Sequence, residues 1–232
     1  MKSNCRILAC VVLCIGCSGL LFAVSEQGQG AGRGVDTSRL ELEARRKGGL
    51  RAAAAVTGHY RGQVSADPEN NVENINQLVD WHERIIVGRI VANRGWLTAD
   101  GEEIVTDYRI AVEESLKGPP VPEITVSILG GRVTFEDGTT ATITSTMRAP
   151  VNGEQYVLFL VPTFYPVSPA QRQAAKGPIY TLQHLALGAF LLDSDHRVQP
   201  RAQSPRHPLR RAFDGMPEAN FIALIKRTVG KQ

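Results

Sequence analysis

The residues of this 232-residue chain with usable chemistry are few: four cysteines, five histidines, some acidic pairs and a run of arginines. Cys5, Cys10, Cys14 and Cys17 crowd into the first apolar segment. That placement suits neither a zinc site nor a disulfide framework. The histidines stand at 59, 82, 184, 196 and 207, with no His-Glu-x-x-His helix pattern. Asp80 and His82 would lie about 200° apart on a helix, so His82 reads as a packed side chain. Asp193, Asp195 and His196 could face a hard cation, but Asp-Ser-Asp is first of all a turn former. No Gly-x-Ser-x-Gly elbow, Walker loop or dinucleotide fingerprint occurs. Ser127 and Ser145 fall in strand patterns, as outward or rim residues. Glu113 and Glu114 are adjacent, so on a strand they face opposite sides and cannot act as a carboxylate pair. An enzyme would have to build its site from scattered residues, such as His184 or Glu154 at a barrel mouth.

The strongest binding signal is cationic. Arg197, Arg201, Arg206, Arg210 and Arg211 lie in a proline-rich stretch without acids. They are candidate contacts for an anionic polymer, lipid headgroups or an acidic partner. A solvated linker would have the same composition. Aromatic interleaving is limited to Phe213, so no nucleic acid is expected. No cofactor and no metal is expected either.

These residues need elements to position them. The chain is 43% hydrophobic and 21% charged, with a formal net charge of +3. Such values fit one globular domain with appendages, and neither a disordered acidic chain nor a strongly basic nucleic-acid binder. Lys2 and Arg6 precede an apolar run from Ile7 to Val24. With small Ala23 and Ser25, residues 1–25 read as a secretory signal peptide cut before Glu26. Two alternatives stand beside it: lipidation of Cys17, which follows Gly16, and a retained membrane anchor. The expected location is exported, periplasmic or extracellular, with membrane contact only through such an anchor. Cleavage would leave no cysteine, which excludes thiol chemistry from the remaining chain.

Residues 26–70 are rich in Gly and Ala and poor in large apolar groups. They read as a flexible spacer, with a marginal helix at Ser38–Arg45 introduced by a capping-box pattern. Val72, Ile75, Leu78, Val79 and His82 then follow helical spacing, with Asn70 or Asn71 as cap. From Arg84 the period becomes two. Strands are expected at 85–91, 104–112, 124–128, 156–161 and within 180–192. A hairpin joins 133–135 to 139–147 across Glu136-Asp137-Gly138. Gly88 stands where a barrel bend leaves no room for a side chain. Residues 71–199 therefore make the β domain, 200–216 an extended Arg/Pro-rich linker, and 217–230 a terminal helix with Phe221, Leu224 and Ile225 on one face.

The stretch Arg84–Val198 resembles a group of uncharacterised secreted bacterial proteins. The matching pieces are Ile85-Ile86-Val87-Gly88-Arg89-Ile90, Thr106-Asp107-Tyr108-Arg109-Ile110, Val112-Glu113-Glu114-Ser115-Leu116-Lys117-Gly118, Ile128-Leu129-Gly130-Gly131, and Gly153–Leu160, with a late Gly188-Ala189-Phe190. The strand order is also similar to the OB-type barrel of netrin-like modules, which include the tissue inhibitors of metalloproteinases. The expected fold class is thus mainly β: a small OB-like β-barrel of about six strands, with a short helix before it and a C-terminal helix packed on it. Inhibitors of that type reach the protease zinc through a disulfide-held N-terminal cysteine. None would remain here, so no functional residue carries over. The expected function is an exported, non-catalytic binding or interaction module for an envelope protein or anionic polymer. The alternatives are an envelope hydrolase and a membrane-tethered structural protein.

Overall fold

A computed structural model describes residues 37–64, 72–175, 177–182, 185–201, 204 and 206–231. Cys17, the apolar N-terminal run and His184 lie outside them. The β-branched, alternating segments form the strands that their period predicts. They are β2 (Arg84–Leu97), β3 (Ile104–Lys117), β4 (Glu123–Leu129), β7 (Gln155–Pro162) and β8 (Ile179–Thr181). Each pairs with its neighbour in the order β7-β2-β3-β4-β8. β8 then closes the ring: it runs parallel to β4 (Ser127 opposite Thr181) and antiparallel to β7 (Val161 opposite Thr181). The result is a five-stranded Greek-key barrel of the OB type. After a 3₁₀ turn at Leu185–Gly188, β9 (Ala189–Leu192) returns to the same edge of β7, and β10 (Val198–Pro200) pairs with β9.

Strands β2 and β7 are buried on both faces, and period two sorts their side chains. Ile86, Ile90, Tyr156, Leu158 and Leu160 point into the barrel. Ile85, Val87, Val157 and Phe159 point outward into a second core. That core is covered by α2 (Ile75–Trp81), α4 (Pro208–Phe213) and α5 (Glu218–Val229). α2 starts one turn later than expected, because its cap is Asn74, whose side chain accepts from Gln77 N at 3.1 Å. Phe190, Phe213 and Phe221 meet at centroid distances of 4.8 to 6.2 Å, and Phe159 packs edge-on to Phe190. His82, 1% exposed, is packed as its spacing implied, with Nδ1 2.7 Å from the Leu78 carbonyl and its ring against Phe159. Gly88 lies at a register shift in β2. A Cβ there would meet Ile110 Cγ2 at 2.6 Å and the Ala111 carbonyl oxygen at 2.8 Å, which explains why this bend tolerates no side chain.

Two expectations are corrected. The flexible spacer assigned to 26–70 is ordered wherever it is described. α1 (Thr37–Thr57) leads to β1 (His59–Val64), which pairs in parallel with β6 (Thr140–Ser145), itself antiparallel to β5 (Gly131–Thr134). The missing large apolar groups are replaced by close packing of small ones. Leu50, Ala53 and Ala54 are fully buried against Tyr60, Ile104, Phe135 and Ile143. Gly48-Gly49 is a kink within α1. Gly49, at φ 66°, lets the chain approach Gly101 closely enough for Leu50 N to donate to its carbonyl at 2.9 Å. The extended linker assigned to 200–216 contains α4. Pro208 occupies the first helical turn, where proline is favoured, and the helix buries Leu209 and Phe213.

Leu50→Ala tests the N-terminal correction. Removing a fully buried leucine should lower the unfolding free energy in urea by about 2–5 kcal/mol. A loss below about 0.5 kcal/mol, the scale of a surface substitution, would show that α1 is not part of the fold.

Candidate functional site

The barrel interior is filled by side chains. Its residual cavity is about 10 Å³, lined by Ile90, Tyr108, Leu158 and Leu182, and is at most the size of one water. At its mouth Glu154 accepts from Tyr156 Oη at 2.6 Å, Arg148 Nη2 at 2.8 Å and Val151 N at 2.8 Å. A carboxylate so saturated holds a barrel end together. Burial and the Glu154 charge push the neighbouring Tyr108 hydroxyl up to about 12.

The polar chemistry gathers on the outer face of β3 and β4. Register places Asp107, Ser127 and Thr181 side by side across three strands. The connection from β7 to β8 carries α3 (Pro169–Ala175) over them. α3 buries a single residue, Gln171. Its Nε2 donates to Asp107 Oδ1 at 3.0 Å and lies 3.4 Å from Ser127 Oγ. Ser127 Oγ also donates to Asp107 Oδ1, and Thr181 Oγ1 donates to the Ser127 carbonyl at 2.7 Å. Gln171 Oε1 is buried without a partner. Ser127 is thus outward from the barrel, as its alternation implied, yet fully buried because α3 covers it. Burial raises the Asp107 carboxyl above its ordinary value, and the bonds from Ser127 and Gln171 oppose that rise.

Beside α3 lies a groove of about 160 Å³ walled by Arg94, Trp96, Arg109, Thr125 and Ala174. Arg94 stands in register with Asp107, but its guanidinium lies over the Trp96 ring at 4.1 Å. Arg109 makes an exposed ion pair with Glu123 at 3.4 Å, a type worth little in water and easily exchanged. A second groove of about 220 Å³ shares Thr125 and Ala175 with the first. It opens on Arg84, Glu123 and Tyr180. Arg84 is 6% exposed, donates to the Pro119 carbonyl at 2.8 Å and stacks over Tyr180 at 5.2 Å. Among the described residues no carboxylate lies within 4.0 Å of it.

The arginines singled out by composition are spread over several elements. Arg197 donates to the Gly215 carbonyl at 2.7 Å, and Arg201 to the Arg148 carbonyl at 3.1 Å. Arg206 is an exposed turn residue before α4, and Arg210 and Arg211 end that helix. Asp193 accepts from Arg197 N, the Gln199 side chain and Asp195 N, and these bonds, the one from Arg197 first, hold its carboxyl below the ordinary value. No group of three or more metal-ligating side chains is found among the described residues. Glu113 and Glu114 do face apart: one meets Arg89, the other Lys226 of α5. Sequence reasoning passed over Arg84, Arg94, Trp96, Asp107, Arg109 and Gln171 as site residues. For Asp107 and Arg109 the signal was present, as the polar half of an alternating strand. No family model matches the chain, and no curated protein matches it.

Asp107→Asn separates the charge from the hydrogen bonds. Because the folded state raises the Asp107 pKa, wild-type stability from its protonated form is full below the ordinary value of 3.8 and is lost as pH rises through the folded value. The amide oxygen can still accept from Ser127 and Gln171. The variant should therefore gain stability relative to wild type between about pH 3 and pH 7 in urea unfolding. A constant or shrinking difference would refute the assignment.

Proposed function

We propose that this protein is an exported, non-catalytic binding module that holds an anionic group of an envelope polymer in the grooves flanking α3. The observation that carries the reading is Arg84. A buried guanidinium is normally paired, because its desolvation costs several kcal/mol. Here its guanidinium carbon stands 5.2 Å over the Tyr180 ring and the side chain lines a groove. The ring contact and the bond to the Pro119 carbonyl hold the fork in place, so little side-chain entropy is lost when an anion is taken. Arg94 on Trp96 repeats the device in the adjoining groove, and Arg109 adds a third guanidinium.

Export rests on the N-terminal run, and among the described residues no helix is long and apolar enough to cross a membrane. An anionic wall or surface polymer is a partner such a location would supply.

The test is titration calorimetry with sodium sulfate and with tetragalacturonate at low salt. Both should bind, and added sodium chloride should weaken both. Arg84→Met keeps the stem and its stacking volume while removing the charge. It should fold with undiminished stability and bind about tenfold or more weakly. Unchanged affinity in a folded Arg84→Met protein would overturn the reading.

A further inference from the structure

We infer that α3 is a lid latched by Gln171 over a sugar-binding face, and that its ligand is an acidic oligosaccharide, an inference that rests on the anion-binding reading above.

The surface beneath α3 is the wrong kind for a permanent interface. Asp107, Thr125, Ser127, Thr181 and Gln171 make up more than half of the buried polar residues described: Gln171 of α3 reaches Asp107 and Ser127, and Thr125 and Thr181 flank them. Elsewhere helices dock through apolar faces: α5 by Phe221 and Ile225, α2 by Ile75, Leu78 and Val79. α3 docks through one glutamine, whose Oε1 has no partner. Leaving a buried amide oxygen unsatisfied works against the closed state. The rest of the connection is fixed nearer its start, by Tyr165 against Thr181 and by Ala99 N donating to the Pro166 carbonyl at 2.9 Å. α3 can therefore lift while its strap stays attached.

What lifting would uncover is a row of hydroxyls around one carboxylate, with guanidiniums at its rim. Asp107 lies in register with Ser127, and Thr125 reaches both grooves, while Thr181 stays under Tyr165. A carboxylate flanked by hydroxyls suits neighbouring sugar hydroxyls, which both donate and accept. Arg94 and Arg109 on one side and Arg84 on the other would take the acid groups. The face lies across the strands and offers no unpaired sheet edge, so it gives an extended peptide no main-chain ladder to join. That favours a glycan over an acidic peptide.

The experiment is hydrogen exchange on the full chain with three probes: tetragalacturonate, its neutral counterpart tetragalactose, and sodium sulfate. Tetragalacturonate should bind at least about tenfold more tightly than sulfate or tetragalactose. It should speed exchange of the α3 amides while slowing exchange in β3 and β4. Gln171→Ala should raise the affinity for tetragalacturonate about threefold or more, because the closed population no longer competes, and leave sulfate affinity unchanged. If sulfate and tetragalacturonate bind equally, or if the α3 amides stay protected in the complex, the lid and its sugar are refuted while the anion site stands. If neither anion binds, both fall. Because the exchange measurement uses wild-type protein, it decides the matter even where Gln171→Ala fails to fold.

Discussion

The three residues of β8 carry the architecture. Ile179, Tyr180 and Thr181 pair with β4 on one side and β7 on the other, and that double pairing turns an open sheet into a barrel. Closure removes two sheet edges at once. It also brings residues distant in sequence into one row across adjacent strands: Asp107 beside Ser127 beside Thr181. The polar face outside the barrel exists only because the ring is closed, and so does the apolar filling within. β7 bears the other half of the load. It supplies Tyr156, Leu158 and Leu160 to the inside, and Val157 and Phe159 to the helix-covered outside. With both faces committed, a slip of one residue in β7 would exchange two cores, so its register is strongly specified.

Burial divides the molecule into an apolar half and a polar half around the same ring. On the α2/α5 side, aromatic side chains pack on one another, and His82 is tied to the Leu78 carbonyl of its own helix. On the α3 side, hydroxyls, a carboxylate and an amide lie under a short helix. The first arrangement gives a rigid wall. The second gives a contact held by hydrogen bonds, whose net contributions are small while orphaned groups are costly. Two guanidiniums placed over aromatic rings, Arg84 on Tyr180 and Arg94 on Trp96, belong to this second half.

Periodicity made the regular elements legible. Strands β2, β3, β4 and β7 and helices α2 and α5 carry their own apolar faces, so local sequence suffices to place them. Of α1 only the marginal helix at Ser38–Arg45 was legible, and its second half and β1 escaped because their packing uses Ala53, Ala54 and a lone Leu50, which produce no apolar stripe, and because Gly48-Gly49 reads like a linker when it is a kink. α4 escaped because its prolines were weighed as helix breakers, although Pro208 sits where a helix accepts one. Of the site, Asp107 and Arg109 were visible as the outward half of a strand. Their partner Gln171 was not, since nothing local marks a glutamine that will be buried by a connection arriving from the far side of β7. The stacked pairs Arg84–Tyr180 and Arg94–Trp96 differ in the same way: two residues apart is legible on a strand, and a pair formed by barrel closure is not.

The parallel pairing of β1 with β6 also sets an order of events in time. His59 meets Thr140, so the early strand has no partner until the late hairpin exists. Loop-closure entropy must be overcome before that contact is rewarded, whereas the β5–β6 hairpin it joins closes locally. Until then β1 must wait without joining another chain. Its sequence, His-Tyr-Arg-Gly-Gln-Val, is suited to waiting: a charge, a glycine and alternating polar groups make it a poor seed for intermolecular β-structure.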